Sequence, residues 1–249
     1  MVLLTQIFRR CGVCGACHRR GASPHTRNVS VAVHALELLD DNRNIIRWAV
    51  NSTGLGDVAT VHALAASNVT SDLQFLIGHG EHLSGKESTS ACTSAAHCRA
   101  GKGSALRSVH AVSLDDLMHT LGLSQLYHVS IDVEGWDALV VEGMRDALAR
   151  RAVELFEFEH KRSGYWTHND VTERRTLGHL VAWVGAAGYR CYLQTATKLM
   201  DVSGECWSAQ YDQLGWSNLL CAHRPSVLAL LDTKFGTSVQ QILNASRKG

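Results

Sequence analysis

The residue pattern predicts an α/β protein with a doubly wound, mostly parallel sheet that closes in a C-terminal antiparallel hairpin. Two observations carry that expectation. From Val29 onward, strand-like alternation and helical stripes follow one another with short links between them. The last two strand-like runs, YRCYLQT and WSNLLCAH, are separated by a polar loop, which favours antiparallel pairing.

Residues 1–28 read as an irregular segment, with a short apolar start, VLLTQIF, followed by CGVCGACHRRGASPHTRN, which has neither strand nor helix period. Val29, Val31, Val33 and Ala35 then alternate towards Glu37 and predict a strand. The run DDNRNIIRWAVNSTG predicts a helix with Ile45, Ile46, Ala49 and Val50 on one stripe, ending before Gly54. VATVHALAAS (58–67) completes a β-α-β unit, and QFLIG (74–78) is a further short strand. Residues 79–108, rich in Gly, Ser, His and Cys, read as a long exposed excursion.

Ser113 is placed to cap a helix carrying Asp115 and Asp116 in its first turn, where negative charge suits the helix dipole. Leu114, Leu117, Met118 and Leu121 form its apolar face, and Gly122 stops it. A strand over 127–133 follows, then an amphipathic helix through Val140 and Leu148, the strand VELFEFEH (153–160), a helix over 177–187 and the two closing strands. The expected organisation is a Cys-rich segment over 1–28, an α/β domain over 29–235 and a tail over 236–249.

The 249 residues are 45% hydrophobic with a formal net charge of +1, so a chain of this size builds a core without needing staples. The balanced charge and the lack of a Lys/Arg stripe argue against nucleic acid as a partner. No apolar run is long enough to predict a membrane-spanning segment. Asn28-Val-Ser30, Asn51-Ser-Thr53, Asn68-Val-Thr70 and Asn244-Ala-Ser246 fit the glycosylation acceptor pattern and lean towards a secretory lumen. MVLLTQIFRRC has no signal-peptide character, so the compartment stays open.

Asp132 and Glu134, followed by Gly135, stand where a predicted strand stops; Glu37 and Glu159 close two others. In open α/β sheets ligands bind beyond the carboxyl ends of the strands, so acids gathered at that edge mark a candidate site. Burial alone does not call for them, because desolvating an unpaired carboxylate costs several kcal/mol in order of magnitude. Asp132 and Glu134 reach one side only if the chain turns after Val133, and Gly135 supplies the backbone freedom for that turn. An acid closing the second strand, as Glu37 does, is placed to accept ribose hydroxyls. Each also has a structural reading, as a capping or solvated residue. For His160 the structural reading is the stronger one.

The run SLDDLMHTLGLSQLYHVSIDVEGWDALVVEGM, followed by ELFEFEH, resembles the signature half of the FkbM-type S-adenosylmethionine-dependent methyltransferases. VHALELLDDNRNII is similar to that family's second strand, whose acid contacts the cofactor ribose, and WSNLLCAH to its closing strand. The resemblance spans roughly residues 31–224 and implies a Rossmann-like fold and methyl transfer to a hydroxyl of a small molecule or glycan. It assigns cofactor binding to Glu37 and Gly135. Asp132 becomes the acceptor-positioning group or general base, and Glu134 either shares that role or orients the cofactor amine.

Three features depart from the family pattern. Ser130 stands for the usual Lys and Leu38 for the usual Pro, and no first strand with its acidic, glycine-rich loop precedes Val31. The first β-α unit is therefore expected to be missing or replaced, with VLLTQIF (2–8) able to fill the vacant place between the Glu37 and Asp132 strands. Cys11, Cys14, Cys17 and His18 fit haem-attachment, zinc or iron-sulfur spacing, with disulfides or free thiols as alternatives; Cys92 and Cys98 add a further pair. The alternative to an enzyme is a non-catalytic remnant that serves as an interaction or metal-binding module. The oligomeric state is not legible.

Overall fold

The computed structural model of the chain describes residues 1–9, 29–78, 89–91, 104–161, 166, 176–196 and 198–234. Its main sheet is built from β1 (Val2–Arg9), β2 (Val29–Leu36), β3 (Ala59–His62), β8 (Leu126–Ile131), β9 (Val153–Lys161), β10 (Arg190–Gln194), β11 (Leu199–Asp201) and β12 (Trp216–Ala222). They lie in the order β11-β10-β12-β9-β8-β1-β2-β3. A second sheet, in the order β4-β7-β5-β6, comprises β4 (Ala65–Ser67), β5 (Ser71–Gly78), β6 (Thr89–Ala91) and β7 (Ser104–Ser113). The helices are α1 (Asp40–Ser52), α2 (Leu114–Thr120), α3 (Asp137–Glu142), α4 (Arg145–Ala149), α5 (Leu177–Ala186) and α6 (Pro225–Lys234).

The sheet is mixed, which corrects the expectation of a mostly parallel one. Among its neighbours only β2–β3 and β8–β9 are parallel; β1 runs antiparallel to both β2 and β8. In the run β3-β2-β1-β8-β9 the central strand, β1, is reversed relative to both neighbours. VLLTQIF does fill the vacant place, and residues 2–9 are thus a strand rather than irregular. Arg9 lies opposite Val29, so the end of β1 and the start of β2 meet on one edge. Two successive reversals leave β2 and β8 pointing the same way, and their carboxyl ends share one edge. At the other side β10 and β12 pair antiparallel as expected, with β12 inserted beside β9.

Two further expectations change. VATVHALAAS divides between β3 and β4, in different sheets, and the presumed excursion over 79–108 contains β6 and the first half of β7. β7 pairs with β5 from Ser71↔Ala111 to Gly78↔Ser104. Leu106, Arg107 and Ser108 on it are exposed, so the pairing rests on backbone hydrogen bonds and shows no apolar period.

α2 is capped as expected: the Ser113 hydroxyl accepts from the Asp116 amide at 3.1 Å, and Leu114, Leu117 and Met118 are buried. The helix predicted through Val140 and Leu148 breaks into α3 and α4. A Cβ at Gly143 would lie 2.2 Å from the Ser67 carbonyl oxygen, so only glycine lets α3 approach β4 this closely. Asp115 restarts the helix from outside, its two carboxylate oxygens accepting from Asp146 and Ala147 amides at 2.8 Å each.

α2 to α5 cover one face, where Val129, Ile131, Phe156, Phe158 and Leu219 from the strands meet Val140, Leu148, Leu180 and Val184. α6 covers part of the other through Leu231 against Tyr192 and Leu199. α1 forms where predicted but its stripe is not buried: no residue of α1 is, and Ile45 and Trp48 stand exposed. Cys191 and Cys221, in register on β10 and β12, form a buried disulfide that the sequence reading did not anticipate.

Candidate functional site

The candidate site is the carboxyl edge of β2, β8 and β9. β2 ends in buried Leu36 and Glu37, whose amide still bonds to the His62 carbonyl at 3.2 Å. One Glu37 carboxylate oxygen accepts from the Leu39 amide at 2.8 Å and the other from Asn42 Nδ2 at 3.4 Å. Arg43 Nη1 donates to the Glu37 carbonyl at 3.0 Å. Glu37 therefore fastens the strand end to α1, and its side chain is almost wholly out of solvent.

β8 ends in a tight turn. The Trp136 amide bonds back to the Val133 carbonyl at 3.3 Å, and Glu134 and Gly135 between them have φ of +55° and +93°. These are the angles of a type I′ turn, cheap for Gly135 and strained for Glu134. The chain does turn after Val133, as the glycine implied. Asp132 is exposed, and its backbone pairs with Met1: the Asp132 amide donates to the Met1 carbonyl at 3.1 Å, and the Met1 amine donates to the Asp132 carbonyl at 2.5 Å. The same amine lies 4.0 Å from Glu37.

Register then sets a row across the edge. Val2 pairs with both Leu36 and Ile131, and Ile131 with Phe158. One step further on, Glu37, Met1, Asp132 and Glu159 stand side by side, with Glu37 and Asp132 two strand spacings apart, about 10 Å. The acids expected at one lip of the sheet do share it. Gly135 is buried at the turn beside them.

Three residues here were not singled out from the sequence. Lys161 closes β9 and forms ion pairs with Glu134 and, at 3.9 Å, with Glu159. The Glu134 hydrogen bond, with further attraction from Glu134, Glu159 and Asp132, raises the Lys161 pKa and keeps the ammonium charged. The Trp216 indole donates to Glu159. The other Glu159 carboxylate oxygen is buried and has no hydrogen-bond partner among the described residues.

The third is Asp137. It is fully buried at the start of α3, with one carboxylate oxygen accepting from the Gly135 amide at 3.2 Å and the other from the Glu159 amide at 3.1 Å. It therefore clamps the turn to the end of β9. Burial pushes its pKa up to about 7, with Glu159 and Asp132 adding to the rise, against the lowering effect of the Glu159 amide and its own. An acid two residues after a turn glycine, opening an apolar helical run, was the available signal. His160 is buried and packs edge-on against Trp166, ring centroids 4.8 Å apart.

Among the described residues no three His, Cys, Asp or Glu side chains gather to hold a metal. Cys11, Cys14, Cys17, His18, Cys92 and Cys98 lie outside those residues, as does the expected tail. No described helix is long and apolar enough to cross a membrane.

No curated protein and no solved structure matches the chain. A family model does: that of the methyltransferase FkbM domain matches residues 14–191, a span that contains the strand-end acids at 37, 132, 134 and 159 and begins after β1. With well over half of the sequence matched, and with the Asp-Val-Glu-Gly turn at the shared carboxyl edge of β2, β8 and β9, the chain belongs to the FkbM methyltransferase family.

Proposed function

We propose that the chain is an S-adenosylmethionine-dependent methyltransferase that methylates a hydroxyl oxygen of a sugar or another natural product. The observation that supports this most directly is the row of Glu37, Asp132 and Glu159 at the carboxyl edge of one sheet, where α/β folds bind ligands. FkbM family membership generally implies this cofactor.

The residues present fit the adenosyl side of the cofactor. Glu37 closes the second strand, where its carboxylate oxygens have lone pairs left for ribose hydroxyls beyond the bonds to Leu39 and Asn42. Gly135 has no side chain to obstruct a ligand at the turn. The four acids at 37, 132, 134 and 159 outnumber the two cations paired with them, Lys161 and the Met1 amine, and a negative edge attracts a cationic ligand. When bound, the cofactor supplies an electrophilic methyl group on a positively charged sulfur. Asp132, exposed at the end of β8, orients the acceptor hydroxyl and takes up its proton. Glu134 shares that role or holds the cofactor amine, and Lys161 fixes its position.

The test is transfer of a labelled methyl group from S-adenosylmethionine to a panel of methyl glycosides and phenols. Asp132→Asn is expected to lower the rate by about 100-fold or more while circular dichroism stays that of the wild type. An unchanged rate contradicts the assignment.

A second reading has its own observation. The reversed β1 brings Met1 between Glu37 and Asp132, where the family's glycine-rich loop would follow a parallel first strand. If this backbone keeps the cofactor out, the chain is a non-catalytic interaction module. On localisation, the buried Cys191–Cys221 cross-link and the exposed Asn51 and Asn68 support maturation in an oxidising lumen.

A further inference from the structure

Trp216 opens β12 and stands 61% exposed, in register with Lys161 across the β9–β12 pair. Its N–H is tied to Glu159, so the ring keeps one orientation while much of it stays in water. That exposure forgoes burial worth roughly 25 cal/mol per Å² of apolar surface. Around it are Lys161, the Lys161-paired Glu134, and Asn218, the cross-strand partner of Glu159. Trp216 lies outside the span matched by the family model.

We infer that Trp216 is the platform of an acceptor subsite, and that its ligand is a neutral polyhydroxylated ring, a glycoside, whose C–H face stacks on the indole. The net negative surroundings repel phosphorylated and carboxylated acceptors. A flat phenol also stacks, but it leaves the carboxylates and Asn218 without the several hydroxyl donors that a sugar brings. Asp132 is two strand spacings across and two residues along from Trp216, about 12 Å, a span that the indole, one pyranose ring and the aspartate side chain bridge. Ring binding stands on the geometry at Trp216, and its use as a methyl acceptor rests on the reading proposed above.

Saturation-transfer NMR tests this on the whole chain with four probes: the methyl glycosides of glucose, galactose, fucose and rhamnose. Glucuronic acid and glucose 6-phosphate serve as anionic counterparts. At least one neutral glycoside is expected to receive saturation on its ring protons and the anions none. Trp216→Ala is expected to weaken binding about tenfold, and Trp216→Phe to retain most of it. Trp216 lies largely outside the core, so both variants should fold, and circular dichroism checks this. Absence of transfer to all four glycosides in the wild type, or equal binding by Trp216→Ala, overturns the platform. S-adenosylhomocysteine titrated into the same preparation keeps the outcomes apart. Glycoside binding without cofactor binding leaves the subsite standing and removes the methyltransferase reading; the reverse result does the opposite.

Discussion

Asp137 shows how one buried carboxylate organises the edge. Both of its oxygens accept backbone amides, one from the Gly135 turn and one from the end of β9, so it fixes the spacing between Asp132, Glu134 and Glu159. Replacing Asp137 with Asn sets an NH2 group against one of those N–H donors and leaves it unsatisfied, a loss of about 1–3 kcal/mol. Urea unfolding should show a lower midpoint with an unchanged slope. The pH dependence has a definite sign. The folded pKa of about 7 lies above the ordinary 3.8, so the folded state holds a proton that the unfolded chain has released. That contribution to stability is full below about 4 and is lost as pH rises through 7. The gap between wild type and Asp137→Asn should therefore narrow between pH 4 and pH 7. A gap that is constant over this range contradicts the assignment of a proton to Asp137.

The β2–β3 pair makes an opposite pH prediction for one element. His34 and His62 approach to 3.1 Å between Nδ1 and Nε2, and desolvation lowers both pKa values, with repulsion from His62 adding to the effect at His34. The folded protein thus resists protonation that the unfolded chain accepts near 6.5, so this stability is present above 6.5 and falls as pH drops through the folded values. The melting temperature should fall between pH 7.5 and 5.5, and fall less in a His34→Gln/His62→Gln variant. An equal fall in both excludes the pair as a cause.

Elements with one buried face were legible in the sequence. The α2 cap and face, β9 and the turn at Gly135 could be read from period and residue type alone. β7 could not, because part of it is exposed and carries no alternation. The close approach of Gly143 to Ser67 at the α3–α4 break joins residues remote in sequence, and the reversal of β1 depends on which strand ends meet, which no local pattern encodes. In the site, the acids at 37, 132 and 134 were found because they end strands. Asp137, Lys161 and Trp216 matter only through neighbours that the fold brings to them.

At the scale of the whole molecule, Cys191–Cys221 joins two strands across a sequence separation of 30 residues. Closing a loop of that size in the unfolded chain stabilises the fold by about 3.6 kcal/mol. Urea unfolding with and without dithiothreitol should differ by that amount, and coincident curves would mean the bond adds nothing. The larger question is whether a sheet with a reversed central strand still binds the cofactor of its family. Glu37 and Asp132 sit at the right edge, but Met1 stands between them. Calorimetric titration of the folded chain with S-adenosylhomocysteine decides it most directly. The proposed function predicts micromolar binding that weakens at least tenfold in Glu37→Gln, whereas no binding heat at millimolar ligand contradicts it.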